Sequence, residues 1–119
     1  MLGETYKRNI AKVKAQETGP VKFIDVTRVN NSPLGPSWQL LNDYKKGNIN
    51  WKQYTERFIN QMNTPLVEAI LLDIAKESLE QNVYLVCYEG PGKHCHRYIL
   101  IDLIVNIANK HGISVQLIK

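Results

Sequence analysis

Three short stretches of the chain are almost continuously apolar and rich in β-branched or aromatic residues: residues 21–26 (VKFIDV), 83–88 (VYLVCY) and 113–118 (ISVQLI). Such runs predict strands, the first entered from the turn formers Gly19-Pro20. The first two show little polar alternation, as expected of strands covered on both faces in a parallel sheet. Between them apolar positions recur at helical spacing. Pro36-Ser37 opens a short helix that runs through Tyr44 and that Gly47 closes, and Asn50 caps a second helix with Trp51, Tyr54 and Phe58 on one face. Thr64-Pro65 starts a third that continues to about Leu79. Its Leu66, Ile70 and Ile74, beside Val67, Leu71 and Ala75, form an apolar stripe wide enough to lie on a sheet. A last helix is expected from about His94 to Lys110, stopped by Gly112. Residues 1–17 admit two assignments, a helix with Tyr6, Ile10 and Val13 on one face or a short strand near residues 5–8.

Strands alternating with helices of this length imply βαβ crossovers. The expected fold is α/β, one small three-layer domain over residues 1–119 with a mainly parallel sheet of three to five strands flanked by helices. A chain of 119 residues can bury one substantial core but hardly two. Ligands in such sheets bind where the carboxyl ends of strands meet helix N-termini. Asp25, Thr27 and Arg28 after one strand, and Cys87 and Glu89 after another, are therefore the first candidates for a site.

Composition narrows the picture only a little. Hydrophobic residues at 44% and charged residues at 22% match an ordinary globular balance. The longest apolar stretch, residues 98–108, is interrupted by Asp102 and Asn106 and falls short of the roughly 18–20 apolar residues that cross a bilayer. No membrane partner is expected. The N-terminal residues carry charge where a signal peptide needs its apolar segment, so the expected location is cytoplasmic. There, the two cysteines are expected to be free thiols rather than a disulfide staple. The formal charge of +4 is biased toward the first 28 residues, where Lys7, Arg8, Lys12, Lys14, Lys22 and Arg28 face three acids. That bias is compatible with a polyanion partner or with a plain solvated surface.

The concentrated chemistry lies in residues 87–97, Cys87-Tyr88-Glu89-Gly90-Pro91-Gly92-Lys93-His94-Cys95-His96-Arg97. Gly90 and Gly92 permit close backbone approach, and the N–H groups at the start of the following helix favour an anion. Arg97, with Arg28 from the neighbouring strand end, offers a guanidinium clamp. Lys93, Asp25 and Ser37 complete the expected ligand-binding set. The same positive field favours thiolate at Cys87 or Cys95. His96 or His94 supplies an acid/base group, and Glu89 joins the catalytic candidates. Each has a plainer explanation: Cys87 as a small buried hydrophobe, the histidines as cap or surface residues, Gly-Pro-Gly as a turn. Their clustering at a predicted strand-to-helix junction favours a site. A phosphatase-type loop is excluded, because the position six residues after Cys87 is Lys93 and after Cys95 is Ile101, not arginine.

Cys87-Tyr88-Glu89 at a strand end, with Cys95-His96-Arg97 opening a helix, resembles the signature of the domain of unknown function 488 family. The similarity extends to Asp25-Val26-Thr27-Arg28, to Gly35-Pro36-Ser37-Trp38 and to the helix with Trp51 and Tyr54, and so covers most of the chain from about Tyr6. The resemblance implies a compact α/β fold with Cys87, Glu89, Cys95, His96 and Arg97 as motif residues. It implies no particular reaction. The Gly-Pro-Gly-Lys loop is more glycine-rich than the family pattern.

The leading expectation is a protein that binds a small anionic ligand, phosphate- or nucleotide-like, and uses a cysteine thiolate on it, with no cofactor. The alternative is a nucleic-acid-associated module in which the basic N-terminal third tracks phosphates. A metal site formed by Cys87, Cys95 and a histidine ranks below both, because zinc ligands more often come in pairs two to four residues apart. No metal is expected.

Overall fold

The computed structural model describes residues 1–90 and 94–118. Eight regular elements follow one another: β1 (Leu2–Tyr6), α1 (Ile10–Gln16), β2 (Val21–Asp25), α2 (Trp38–Lys45), α3 (Trp51–Met62), α4 (Pro65–Glu77), β3 (Asn82–Cys87) and α5 (His96–Lys110), with a 3₁₀ turn at Lys7–Asn9. The chain is α/β, with a three-stranded sheet ordered β1-β3-β2 whose strands are all parallel. β3 is central. Its residues Val83–Cys87 are buried, which explains why this stretch lacks polar alternation.

Register explains the layers. Leu2, Val83, Leu85, Cys87 and Val26 belong to the main core, where they meet Phe58, Leu71, Ile74, Leu100 and Ile104 of α3, α4 and α5. The alternate positions Gly3, Tyr84 and Phe23, which pair side by side, face the other way. On this second face Glu17, the residue after α1, accepts hydrogen bonds from Tyr84 Oη at 2.8 Å and Asn82 Nδ2 at 2.9 Å. α1 itself buries no residue.

The capping signals read from sequence hold. Ser37, Asn50 and Thr64 each accept a backbone N–H of the first turn, and Asn50 with Gln53 completes a capping box. Gly47 and Gly112 adopt positive φ, +78° and +73°, just past helix ends. Two expectations change. Residues 1–17 hold both of the elements treated as alternatives, a strand and then a helix, with the strand lying over Leu2–Tyr6 rather than 5–8. Residues 113–118 do not form a strand. They approach the outer edge of β1 and make one parallel bridge, Leu2 with Leu117, held by Leu2 N to Gln116 O and Ile118 N to Leu2 O, both 2.8 Å. Among the described residues no helix is long and apolar enough to cross a membrane.

Candidate functional site

All three strands end on the same side of the sheet, and a cavity of about 150 Å³ opens there between the carboxyl ends of β2 and β3 and the helices α2 and α3. Cys87, the last residue of β3, and Cys95, which precedes α5, both line it, as do Glu89 and His96. Eight positions apart in sequence, the two cysteines lie together because the end of β3 and the start of α5 meet at this end of the sheet. The Sγ atoms of Cys87 and Cys95 and a ring nitrogen of His96 lie within 4.8 Å of one another. Both cysteines are free and buried.

The hydrogen bonds around this cluster define its chemistry. His96 Nε2 lies 2.5 Å from the carbonyl oxygen of Val26. A carbonyl only accepts, so Nε2 carries the proton and Nδ1 turns its lone pair toward Cys95 Sγ, 3.7 Å away. Burial holds the His96 pKa below its ordinary value, which keeps this neutral tautomer. Cys87 Sγ donates to Glu89 Oε2 at 3.2 Å. The neighbouring Cys95 thiol lowers the Cys87 pKa, an effect opposed by burial and by the Glu89 carboxylate. The neighbouring Cys87 and burial push Cys95 up. Cys87 is thus the thiol that ionises first and Cys95 the one that keeps its proton. Burial raises the Glu89 pKa, but its bond from Cys87 and its own backbone bond outweigh this and leave it lowered.

The opposite wall is aromatic and basic. Trp51 stacks on the His94 ring with centroids 4.5 Å apart and on Tyr54 at 4.9 Å, and Tyr44 Oη meets His94 Nδ1 at 3.1 Å. Arg28 enters from the loop after β2. Its Nη2 reaches Asn31 Oδ1 at 3.2 Å, while its buried Nε has no hydrogen-bond partner among the described residues. The backbone of that arginine is held by a close approach, since a Cβ on Gly35 would sit 3.0 Å from Arg28 N and 3.1 Å from its Cα. This is why glycine stands in the Gly35-Pro36-Ser37-Trp38 segment.

The sequence-selected residues therefore divide. Cys87, Cys95, His96, Glu89 and Arg28 come together at the cavity. Arg97 does not line it. With 0% exposure it is the largest fully buried side chain, and its donors are committed: Nε to Glu4 Oε2, Nη1 to the Glu89 carbonyl at 2.7 Å, and Nη2 to the Gly90 carbonyl at 3.2 Å and Tyr98 Oη at 3.0 Å. The fork expected to grip a ligand instead grips the chain, bracing the segment that carries Glu89. Gly90 enters only as an acceptor in that brace. Asp25 is likewise spent inside the fold: Oδ1 accepts from Thr27 N and Oγ1, and Oδ2 from Lys7 and Asn30. Burial raises its pKa, but these bonds more than reverse the effect and hold it well below the usual carboxylate range. Ser37 caps α2 and is bracketed by Gln61, whose Oε1 accepts from Ser37 N and whose Nε2 donates to Ser37 Oγ. Gly92 and Lys93 lie outside the described residues.

Sequence reasoning missed Tyr44 and Glu4 and had treated Trp51 and Tyr54 only as one face of a helix. The spacing of those two aromatic residues with Phe58 was the available signal. Nothing local marks Glu4, whose partner is 93 positions away.

A family model described as the active DUF488-N3 subclade, DUF488-N3a, matches residues 7–108, from the turn after β1 almost to the end of α5. No curated protein and no solved structure matches the chain.

Proposed function

The chain belongs to the DUF488 family, and on that premise we propose that it binds a small anionic ligand in the cavity and acts on it with the Cys87 thiolate. One observation carries this reading: the same cavity is lined by a thiol paired with a carboxylate and by an arginine whose buried Nε has no hydrogen-bond partner among the described residues. An arginine in this state gains most from a bidentate acceptor such as a phosphate or carboxylate. The anion clamp is thereby assigned to Arg28 in place of Arg97.

In the proposed step the Cys87 sulfur forms a bond to an electrophilic atom of the ligand held by Arg28. The bond from that atom to its leaving group breaks, and the electron pair departs with the leaving group. The thiol proton passes to Glu89 and from there to the leaving group, and water then releases the adduct from sulfur. Cys95 stabilises the developing thiolate as a hydrogen-bond donor. His96 acts through Cys95, as a positioning residue held by the Val26 carbonyl.

Calorimetric titration with phosphate and sulfate tests the clamp. Arg28→Ala is expected to lose about 1.5–3 kcal/mol, ten- to a hundredfold, the scale of a hydrogen bond to a charged group. Arg28→Lys recovers only part, lacking the planar fork. Cys87→Ser retains anion binding and loses the faster of the two iodoacetamide labelling phases, leaving that of Cys95. Equal affinity in wild type and Arg28→Ala overturns the reading. The polyanion alternative draws no comparable support, for Lys7 and Lys22 of the basic third are paired with Asp25 and Glu77.

A further inference from the structure

We propose that Cys87, Cys95 and His96 form a binding site for a thiophilic divalent cation of the Zn²⁺ class, and that its occupancy reversibly caps the nucleophile. The inference rests on the thiol reading above only in its second half, since the cation site stands on geometry alone. Three donors of the right kinds, two sulfurs and an imidazole nitrogen, converge within 4.8 Å. In a tetrahedral zinc site, with bonds of about 2.3 Å to sulfur and about 2.0–2.1 Å to nitrogen, neighbouring ligand atoms stand roughly 3.5–3.8 Å apart. The 3.7 Å between Cys95 Sγ and His96 Nδ1 already meets that requirement.

The second observation is the imidazole's other nitrogen. Metal-bound histidines characteristically donate their remote N–H to a carbonyl or carboxylate, which fixes ring and tautomer. His96 Nε2 does this to Val26 O at the end of β2, so Nδ1 is presented as a lone pair with no rearrangement. The three ligands also line the cavity, which leaves a fourth coordination position facing open space, as in sites that keep water or an exogenous anion there. Sequence spacing argued against zinc because close ligand pairs are the usual signature; here the meeting of the end of β3 with the start of α5 supplies the proximity that spacing withheld.

Binding involves no electron transfer. The cation replaces the thiol protons of Cys87 and Cys95, which leave to solvent, and takes the neutral nitrogen of His96 as it stands. With both Cys87 lone-pair density and charge committed to the metal, the thiolate no longer attacks an electrophile.

Cobalt(II) is the probe, titrated anaerobically into reduced, metal-free protein. The expected result is a thiolate-to-cobalt charge-transfer band in the near ultraviolet with intense visible d–d bands, saturating at one ion per chain and bleached by Zn²⁺, while Mg²⁺ leaves the protein unchanged. Cys95→Ser and Cys87→Ser, with folding checked by circular dichroism, should each weaken cobalt binding by more than the roughly 10–100-fold that loss of a supporting residue costs. Zn²⁺ should also slow alkylation of both thiols in the wild type at least tenfold, a readout that needs no variant. Absence of the charge-transfer band and of thiol protection, or unchanged affinity in either folded serine variant, overturns the proposal. Arg28→Ala should bind cobalt like the wild type. If that variant keeps both its cobalt and its phosphate affinity, the anion clamp fails and the cation site stands. If it loses phosphate while the wild type shows no cobalt band, the reverse holds. Thiol protection without slowed turnover of a thiol-dependent reaction would overturn the capping half alone.

Discussion

The segment that follows β2 and the first turn of α5 meet at one end of the sheet, where His96 Nε2 reaches the Val26 carbonyl, and each carries an arginine, yet the surroundings of the two arginines are opposite. After β2, Asp25 absorbs the donors Lys7, Thr27 and Asn30, and Arg28 lines the cavity with an Nε that has no partner among the described residues. After β3, Arg97 is sealed in the core, saturated by Glu4 and by the carbonyls of Glu89 and Gly90. Residue type and closeness to a strand end do not separate a brace from an arginine left with a free donor. What separates them is whether the fold supplies acceptors, and those acceptors come from parts of the chain that the local sequence does not show.

The strongest way to break this contrast is to delete each guanidinium. Arg97→Ala should cost about 3–5 kcal/mol in urea unfolding, near the lower figure because Glu4 keeps some contact with water, since it strands a carboxylate and loop carbonyls. Arg28→Ala should change stability by less than about 0.5 kcal/mol while removing anion affinity. Equal stability losses would erase the distinction.

Gly35→Ala comes next. Its Cβ meets the Arg28 backbone rather than a flexible side chain, so an overpacking cost of about 1–3 kcal/mol is expected. Anion affinity should fall with it although no ligand contact is touched. A variant as stable as wild type, with unaltered phosphate titration, would show that the Arg28 loop is not held by this approach.

Asp25 gives a pH test. Its pKa in the folded chain lies below the unfolded value near 3.8, so its contribution is complete above that value and is lost as pH falls through the native pKa. Asp25→Asn should lower stability at neutral pH by about 1 kcal/mol, the scale of hydrogen bonds discounted for a partly solvated ion pair. The difference from wild type should vanish in strong acid, as denaturation across pH would reveal. A constant difference at all pH values would mean that the carboxylate charge is irrelevant to the loop.

The smallest effect is expected at exposed Lys12 and Lys14 on α1. Replacing both by alanine should leave stability within about 0.5 kcal/mol and phosphate affinity unchanged. A marked loss of affinity would move the anion site away from Arg28 and toward the basic N-terminal third.

What the sequence revealed, and what it hid, follows the same division between local and distant causes. Caps at Ser37, Asn50 and Thr64-Pro65 were legible because a cap is settled within four residues. β2 and β3 were legible as buried apolar runs. β1, with Gly3 and Glu4 in its middle, was blurred because it is shaped by its neighbours: Gly3 makes room for Ile118 and Tyr84, and Glu4 answers Arg97. The 113–118 run has strand-like composition, but only Leu117 finds a bridging partner, at the edge of β1. The thiols, Glu89 and His96 were legible as a cluster, whereas the withdrawal of Arg97 into the core depends on Glu4 and on the Glu89 and Gly90 carbonyls, contacts that no spacing rule predicts.

The strand order has a consequence for how the chain comes together in time. β1 and β2 share no backbone ladder; the ladder of each is with β3, which is made after both. A growing chain therefore has no sheet until residues 82–87 emerge, and then acquires both ladders around one strand, contacts of long sequence separation that slow folding. The last residue of that strand is Cys87. That side chain is thus placed only when the central strand docks, and a chain lacking β3 would have neither the sheet nor the cavity that Cys87 lines, only two strands without their common partner.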